Sequence, residues 1–296
     1  MRYERRSIWS RLFSVFTIGL LLGSMMLLAS AVAAEETIKL GVLYSLTGPF
    51  APAGAVAGFR GTKIAIDMVN EKGGVLGKYK VEYVSADARS NPDVAIREAE
   101  RLIAVEKVPV ILGVYSSAIA VPLAEIVEKQ KRILWINIAI SDAVFKGRNL
   151  RYVFRPQPFG SQWGETSVNF LRDEGEAKLG KPLKDITVAI LHEDGPYGVS
   201  VAKANARRAK ELGIKVVMQE AYSHTATDLS SLVLKVRAAQ PDIILHTGYF
   251  PDIVLFHRQA REMGLKTKAV IGHGAGYANF PKRREALGKG ANYLYN

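Results

Sequence analysis

Five histidines, His192, His224, His246, His257 and His273, are the residues best suited to acid–base or metal chemistry, and they fall singly along the chain. None stands in H-E-x-x-H, and no G-x-S-x-G presents a nucleophilic serine, so catalysis is unsupported. His192-Glu193-Asp194 is no metal site, because three consecutive residues of an extended strand cannot all face one ion. Gly272-His273-Gly274-Ala275-Gly276 misplaces the third glycine of a dinucleotide loop, so no nucleotide cofactor is implied. The absence of cysteine removes thiol catalysis, thiolate metal sites, disulfides and a lipid-modified N-terminal cysteine. No cofactor of any kind is expected.

What the residues do offer is recognition. Ser45-Leu46-Thr47-Gly48 leaves a strand for a helix, and small, hydroxylated residues there leave backbone N–H groups free to hold a carboxylate or another anion. Ser116 and Ser117, ahead of a helix expected to start near Ala120-Val121-Pro122, can cap that helix or contact a ligand. Asp87 and Asp252 read as turn and cap residues.

These positions hang on a regular alternation of strands and helices. Strands are expected at 38–44, 80–85, 110–115, 133–137, 187–191, 215–220, 243–247 and 269–271. Most are short, nearly continuous apolar runs rich in Val and Ile, which suit parallel strands covered on both faces. Asn91-Pro92-Asp93 marks a helix start, after which Ala95, Ala99, Leu102 and Ile103 share one face. Asp228 and Pro251-Asp252 open two more helices, and Leu212-Gly213 and Met263-Gly264 close others. The fold class is therefore α/β with doubly wound parallel sheets, the binding crevice lying outside the carboxyl ends of the strands. Pro156 and Pro158 interrupt the extended run from Leu150, and one α/β unit is expected to hand over to the next there.

Residues 1–11 carry four arginines against one glutamate, residues 12–30 are uncharged, and Ala31-Val32-Ala33-Ala34 follows. This is the pattern of a secretory signal cut near Ala33 or Ala34; the alternative is a retained anchor. Arg5-Arg6 lacks the surroundings of a twin-arginine signal, so general secretion is expected. Of 40 basic and 28 acidic residues the leader holds four and one, leaving 36 against 27, about +9. The basic residues are interspersed with acids on helix faces, which argues against a nucleic-acid partner.

An ordered set of motifs then carries a family likeness. Gly41-Val42-Leu43 with Leu46-Thr47-Gly48-Pro49 comes first, then Asn70-Glu71-Lys72-Gly73-Gly74-Val75-Leu76-Gly77, then Asp87 with Asn91-Pro92. Gly113 to Ser117, the Asp194 to Gly198 turn, and Gly248-Tyr249-Phe250-Pro251 ahead of Arg258-Gln259-Ala260-Arg261 complete it. The chain resembles the branched-chain amino acid binding proteins of ABC importers, which are type I periplasmic binding proteins. The likeness covers nearly all of the chain after the leader.

The resemblance implies two lobes joined by hinge strands, residues 35–155 and 156–272, with a small ligand enclosed when they close. It implies a periplasmic, monomeric protein that performs no chemistry and delivers its ligand to an inner-membrane ABC permease. The alternative is a sensing module for a membrane receptor, which neighbouring genes for a permease and ATPase or for a kinase would discriminate; an exported hydrolase is a third reading. Ser117, with Ser116 beside it, matches the position that holds the ligand carboxylate. Ala139, Ile140 and Ser141 match a loop that gives a carbonyl and a hydroxyl to the ligand's polar end, and Tyr197 and Tyr249 match aromatics that close over it.

Two departures bear on the ligand. Gly274 stands where amino-acid binders place an acidic partner for the ammonium, and Ala53 stands where some members have a bulky aromatic. Both favour a larger or non-amino ligand such as an aromatic or aliphatic acid, with His273 as a hydrogen-bond partner. The chain also stops in mid-strand by pattern, so residues 273–296 are expected to be a truncated return to the first lobe. Marginal stability and weakened affinity are the corresponding expectations, to be checked by thermal unfolding against an extended homologue.

Overall fold

The computed structural model describes residues 36–296, except for the side chain of Ala53, so the expected leader and the Ala53 departure lie outside the described residues. By contact the described residues divide into two compact units, residues 36–38 with 68–81, and residues 39–67 with 82–296. In the first, Asn70 clasps Val81 through two hydrogen bonds of 2.8 Å, and Gly73 and Gly74 adopt positive φ in the turn between them. The cavity described below is lined by residues of the second.

All eight expected strands form, with two additions. In chain order they are β1 (Thr37–Tyr44), β2 (Lys80–Asp87), β3 (Val110–Gly113), β4 (Ile133–Ile136) and β5 (Val153–Phe154), then β6 (Thr187–Glu193), β7 (Lys215–Tyr222), β8 (Ile243–Thr247), β9 (Ala269–Gly272) and β10 (Leu294–Tyr295). Among the described residues eight α-helices alternate with them: α1 (Val56–Glu71), α2 (Pro92–Ala104), α3 (Ser117–Lys129), α4 (Gly160–Leu179), α5 (Pro196–Glu211), α6 (Ser230–Ala239), α7 (Phe250–Glu262) and α8 (Phe280–Leu287). Helix α2 is set by its cap, the Asn91 side chain accepting from Val94 N at 3.0 Å, and it buries the expected Ala95, Ala99, Leu102 and Ile103.

The sheets are two renderings of one topology. The first runs β2-β1-β3-β4-β5, and the second, read from its other edge, runs β7-β6-β8-β9-β10. Parallel pairing holds from β1 through β5 in the first and throughout the second. Each lobe has its own core, Leu43, Ile111, Leu123 and Leu134 in the first, and Ile190, Leu245 and Phe256 among others in the second. Strand order reverses between β1 and β3 and again between β6 and β8. Chains leaving those strands at their carboxyl ends diverge to opposite faces of the sheet, which opens a crevice there.

Three expectations change. Residues 273–296 do not return to the first sheet: β10 pairs with β9, placing Leu294 opposite Val270 and Tyr295 opposite Ile271. The open ladder of β9 and the apolar side of Leu294 favour that edge, and Arg283 secures it by donating to the carbonyls of Tyr277 (2.7 Å) and Leu294 (3.1 Å). Helix α3 begins at Ser117 rather than near Ala120, with Pro122 inside it. Three amides of the 45–50 loop are already taken, because Asp87 accepts from Leu46 N (2.8 Å) and Thr47 N (3.2 Å), and Ser90 Oγ from Phe50 N (3.0 Å). An internal carboxylate occupies the anion position that the loop offers.

Candidate functional site

A cavity of about 470 Å³ opens where the two switch points meet. Strand β3 delivers Tyr115 and Ser117 to it through a sharp turn. Gly113 (φ 132°) and Val114 (φ 69°) both take positive φ, and Val114 N donates to Leu43 O at 3.0 Å. The loop after β4 adds Ile138, Ala139 and Ile140; the turn after β6 adds Tyr197; the turn after β8 adds Tyr249. Gly54, Ala57, Gln157, Trp163 of α4 and residues of the 274–281 segment complete the lining.

The walls are aromatic. Tyr249 packs on Phe50 (ring centroids 4.6 Å apart), Tyr197 (5.4 Å), His224 (5.4 Å) and Tyr115 (5.9 Å), so rings from both lobes form one cluster. Burial raises the Tyr115, Tyr197 and Tyr249 phenols well above their ordinary range, which keeps them neutral donors.

The structure sorts the sequence candidates. Ser117, Ala139, Ile140, Tyr197 and Tyr249 line the cavity. Ser117 Oγ accepts from Ser141 N at 3.1 Å, which leaves its own O–H to donate. Ser116 lies behind the wall, accepting from Ala118 N at 3.2 Å as the cap of α3, with its Oγ 3.4 Å from the Tyr249 hydroxyl. Ser141 is spent on a contact between the lobes: its Oγ lies 2.9 Å from Ser200 Oγ, and Ser200 Oγ also accepts from Asp142 N at 3.1 Å.

His273 points elsewhere. Its Nδ1 sits 2.9 Å from Thr247 Oγ1 and 3.1 Å from His246 O, and its Nε2 lies 3.0 Å from Ser167 Oγ, so the ring belongs to the packing under the second sheet. Only its carbonyl serves the site, accepting from the Tyr197 hydroxyl. The loop carbonyls are engaged as well. Arg155 Nη1 donates to Ala139 O (3.2 Å) and Ser141 O (2.9 Å), and Gly160 N donates to Ile140 O (2.8 Å).

Sequence reasoning missed Phe50, Tyr115, His224, Gln157 and Trp163. Tyr115 and Phe50 carried a usable signal, being aromatics just past the carboxyl ends of β3 and β1, the place where such folds bind ligands. Trp163, on a helix interior, carried none.

Electrostatics single out one corner of the cavity. Asp87 fills the loop after β1. Glu193 accepts from Gly195 N (2.8 Å) and Gly198 N (2.5 Å) at the start of α5, and Asp252 from Tyr249 N (3.0 Å) at the start of α7. Burial pushes the Glu193 pKa up and that of Asp252 to about 7. Of the four loops at the switch points, only the β3–α3 turn is capped by a neutral group, Ser116, so the positive end of the α3 dipole faces the cavity without an internal carboxylate.

Comparison with known proteins agrees with this architecture. The periplasmic binding protein family profile matches residues 37–295. Leu/Ile/Val-binding protein homolog 7 of Brucella suis biovar 1 is 40% identical over 255 residues, covering 86% of this chain and 63% of that protein. Homolog 8 of the same organism is 38% identical over 264 residues, covering 89% and 64%. The chain thus spans under two thirds of the length of these curated relatives. Among solved structures, a leucine-binding protein LivK of Thermotoga maritima superposes with a TM-score of 0.74 at 27% identity, covering 86% of this chain and 67% of that one. The isoleucine complex of LivJ from Streptococcus pneumoniae, at 24% identity and a TM-score of 0.75 over 88% of this chain and 70% of that one, shares the fold.

Proposed function

The chain belongs to the periplasmic binding protein family, in its branched-chain amino acid ABC substrate-binding branch, and from that premise we propose that it is the exported solute receptor of an ABC importer. It encloses a small carboxylate-bearing solute between lobes 35–155 and 156–272 and presents it to a membrane permease. The Brucella relatives, whose names describe Leu/Ile/Val binding, support the class of solute.

The observation that carries this reading is the uncompensated β3–α3 turn. A carboxylate seated there would accept from the Ser117 hydroxyl and lie on the α3 axis, while Tyr115 and Tyr249 cover its apolar part. Contacts such as Ser141 with Ser200 and Phe50 with Tyr249 already join the lobes. Ligand contacts made to both lobes would then decide whether an open or a closed form is populated.

Ser117→Ala removes the anchoring hydroxyl and leaves the cap of α3, Ser116, in place. Affinity for the best-binding acid should fall by about 1.5–3 kcal/mol, roughly 10- to 150-fold, and because the Ser141 amide loses its acceptor the fold should be retained at a cost of about 1–3 kcal/mol in stability. Titration calorimetry showing equal affinity in the two proteins would remove the anchor from this assignment.

A further inference from the structure

We propose that the cavity selects a carboxylate lacking an α-ammonium group, an aromatic or branched aliphatic acid rather than an amino acid, and that Arg155 is the residue that sets this preference. The inference rests on the carboxylate reading above and refines it.

An ammonium group brings three donors and a positive charge, and it enters a closed site only where acceptors and a counter-ion replace its water. This lining supplies no Asp or Glu. Glu193 and Asp252, both close behind the aromatic wall, spend their oxygens on backbone amides and on the Tyr222 hydroxyl. Gly274 offers no side chain where it meets the cavity, its position facing the Trp163 ring and the Tyr197 hydroxyl.

The backbone gives little more. The three carbonyls of the 139–141 loop are the natural acceptors on this wall, and each already takes a hydrogen bond, two of them from one Arg155 nitrogen. Arg155 also brings its charge. The guanidinium lies between Phe159 (4.4 Å to the ring centroid) and Phe145 (5.0 Å), and among the described residues it forms no ion pair. A cation one residue behind the wall, offset only in part by the Asp142 carboxylate, with which it makes no ion pair, repels an ammonium and favours an anion in the cavity. The Gln157 and Asn279 amide groups at the lining suit neutral substituents such as hydroxyls.

Matched pairs that differ only in the ammonium group test this directly: leucine against 4-methylpentanoate, and phenylalanine against 3-phenylpropanoate, titrated calorimetrically into the protein. The acid should bind at least tenfold tighter than its amino acid in each pair that binds. Equal or tighter binding of the amino acid overturns the inference while leaving the carboxylate reading intact; silence from all four compounds and from hydroxybenzoates counts against both. Arg155→Met releases two carbonyls and removes the charge, so the acid-to-amino-acid affinity ratio should drop at least tenfold. A purely structural role would weaken both members of a pair alike and keep the ratio. An unchanged ratio overturns the part given to Arg155, and the pair comparison in the unaltered protein stands whether or not that variant folds.

Discussion

Stability should fall steeply as the pH is lowered from 6.5 toward 4, because three histidines of the second lobe are buried in their neutral form. Burial lowers the pKa of His257 and of His273 to about 4 and that of His246 well below the usual value. His246 is held in a chain of hydrogen bonds. Its Nδ1 lies 2.7 Å from Tyr277 Oη, which lies 2.9 Å from His257 Nε2, and its Nε2 lies 2.8 Å from Tyr222 Oη, which donates to Asp252 at 2.7 Å. With Tyr222 donating to Asp252, His246 must donate through Nε2 and accept from Tyr277 through Nδ1. Protonating Nδ1 sets two donors against each other. His257 is further opposed by the nearby Arg283 charge.

The sign follows from linkage. A histidine whose folded pKa is depressed contributes stability that is present above about 6.5 and lost as pH falls through the folded pKa, at about 1.4 kcal/mol per pH unit. Asp252 and Glu193 act in the opposite sense. Their folded pKa values are raised, so their contribution is complete below the ordinary carboxylate range and disappears as pH rises, through about 7 for Asp252. Between pH 6.5 and 4 three histidines oppose at most two carboxylates, so the net loss is at least about one proton's worth, or roughly 1.4 kcal/mol per pH unit. Denaturant unfolding at pH 7, 6, 5 and 4 measures this, and a stability that stays level or climbs on acidification would contradict the buried-neutral assignment.

Gly113→Ala should be strongly damaging to both stability and binding. Gly113 sits at φ 132°, a conformation that L side chains rarely adopt, and an added Cβ would be driven into the Leu43 carbonyl oxygen. That oxygen cannot retreat, because Leu43 is fully buried in the middle of its sheet and accepts from Val114 N. A loss of about 3 kcal/mol or more is expected, in the upper range for overpacking. The chain after Gly113 carries Tyr115, Ser116 and Ser117, so relief of the clash would also misdirect the anchor. Thermal melting and ligand titration should therefore fail together. A Gly113→Ala protein that melts and binds like the parent would mean that the turn is built differently.

The elements were legible because their causes are local. Apolar runs at 110–113 and 243–247 announce buried parallel strands, and Asn91-Pro92 fixes the start of α2 through bonds that span three residues. Ser117 and the two tyrosines were found by position in the motif order. His273 was misplaced because its side-chain partner, Ser167, is 106 residues away on α4, and nothing near His273 in the chain announces that contact.

By itself the sequence determined a repeating β–α chain with its recognition loops at the strand ends, since periodicity, caps and turns depend on neighbours. Only the tertiary structure decided which loop can take an external anion. Asp87 reaches back about forty residues to fill the first loop, Glu193 and Asp252 turn onto the starts of α5 and α7, and Arg155 claims the carbonyls of the 139–141 loop. Each hydrogen-bonding group was visible as a residue. Whether it is spent inside the protein or left for a ligand depends on distances that exist only once the chain has closed on itself.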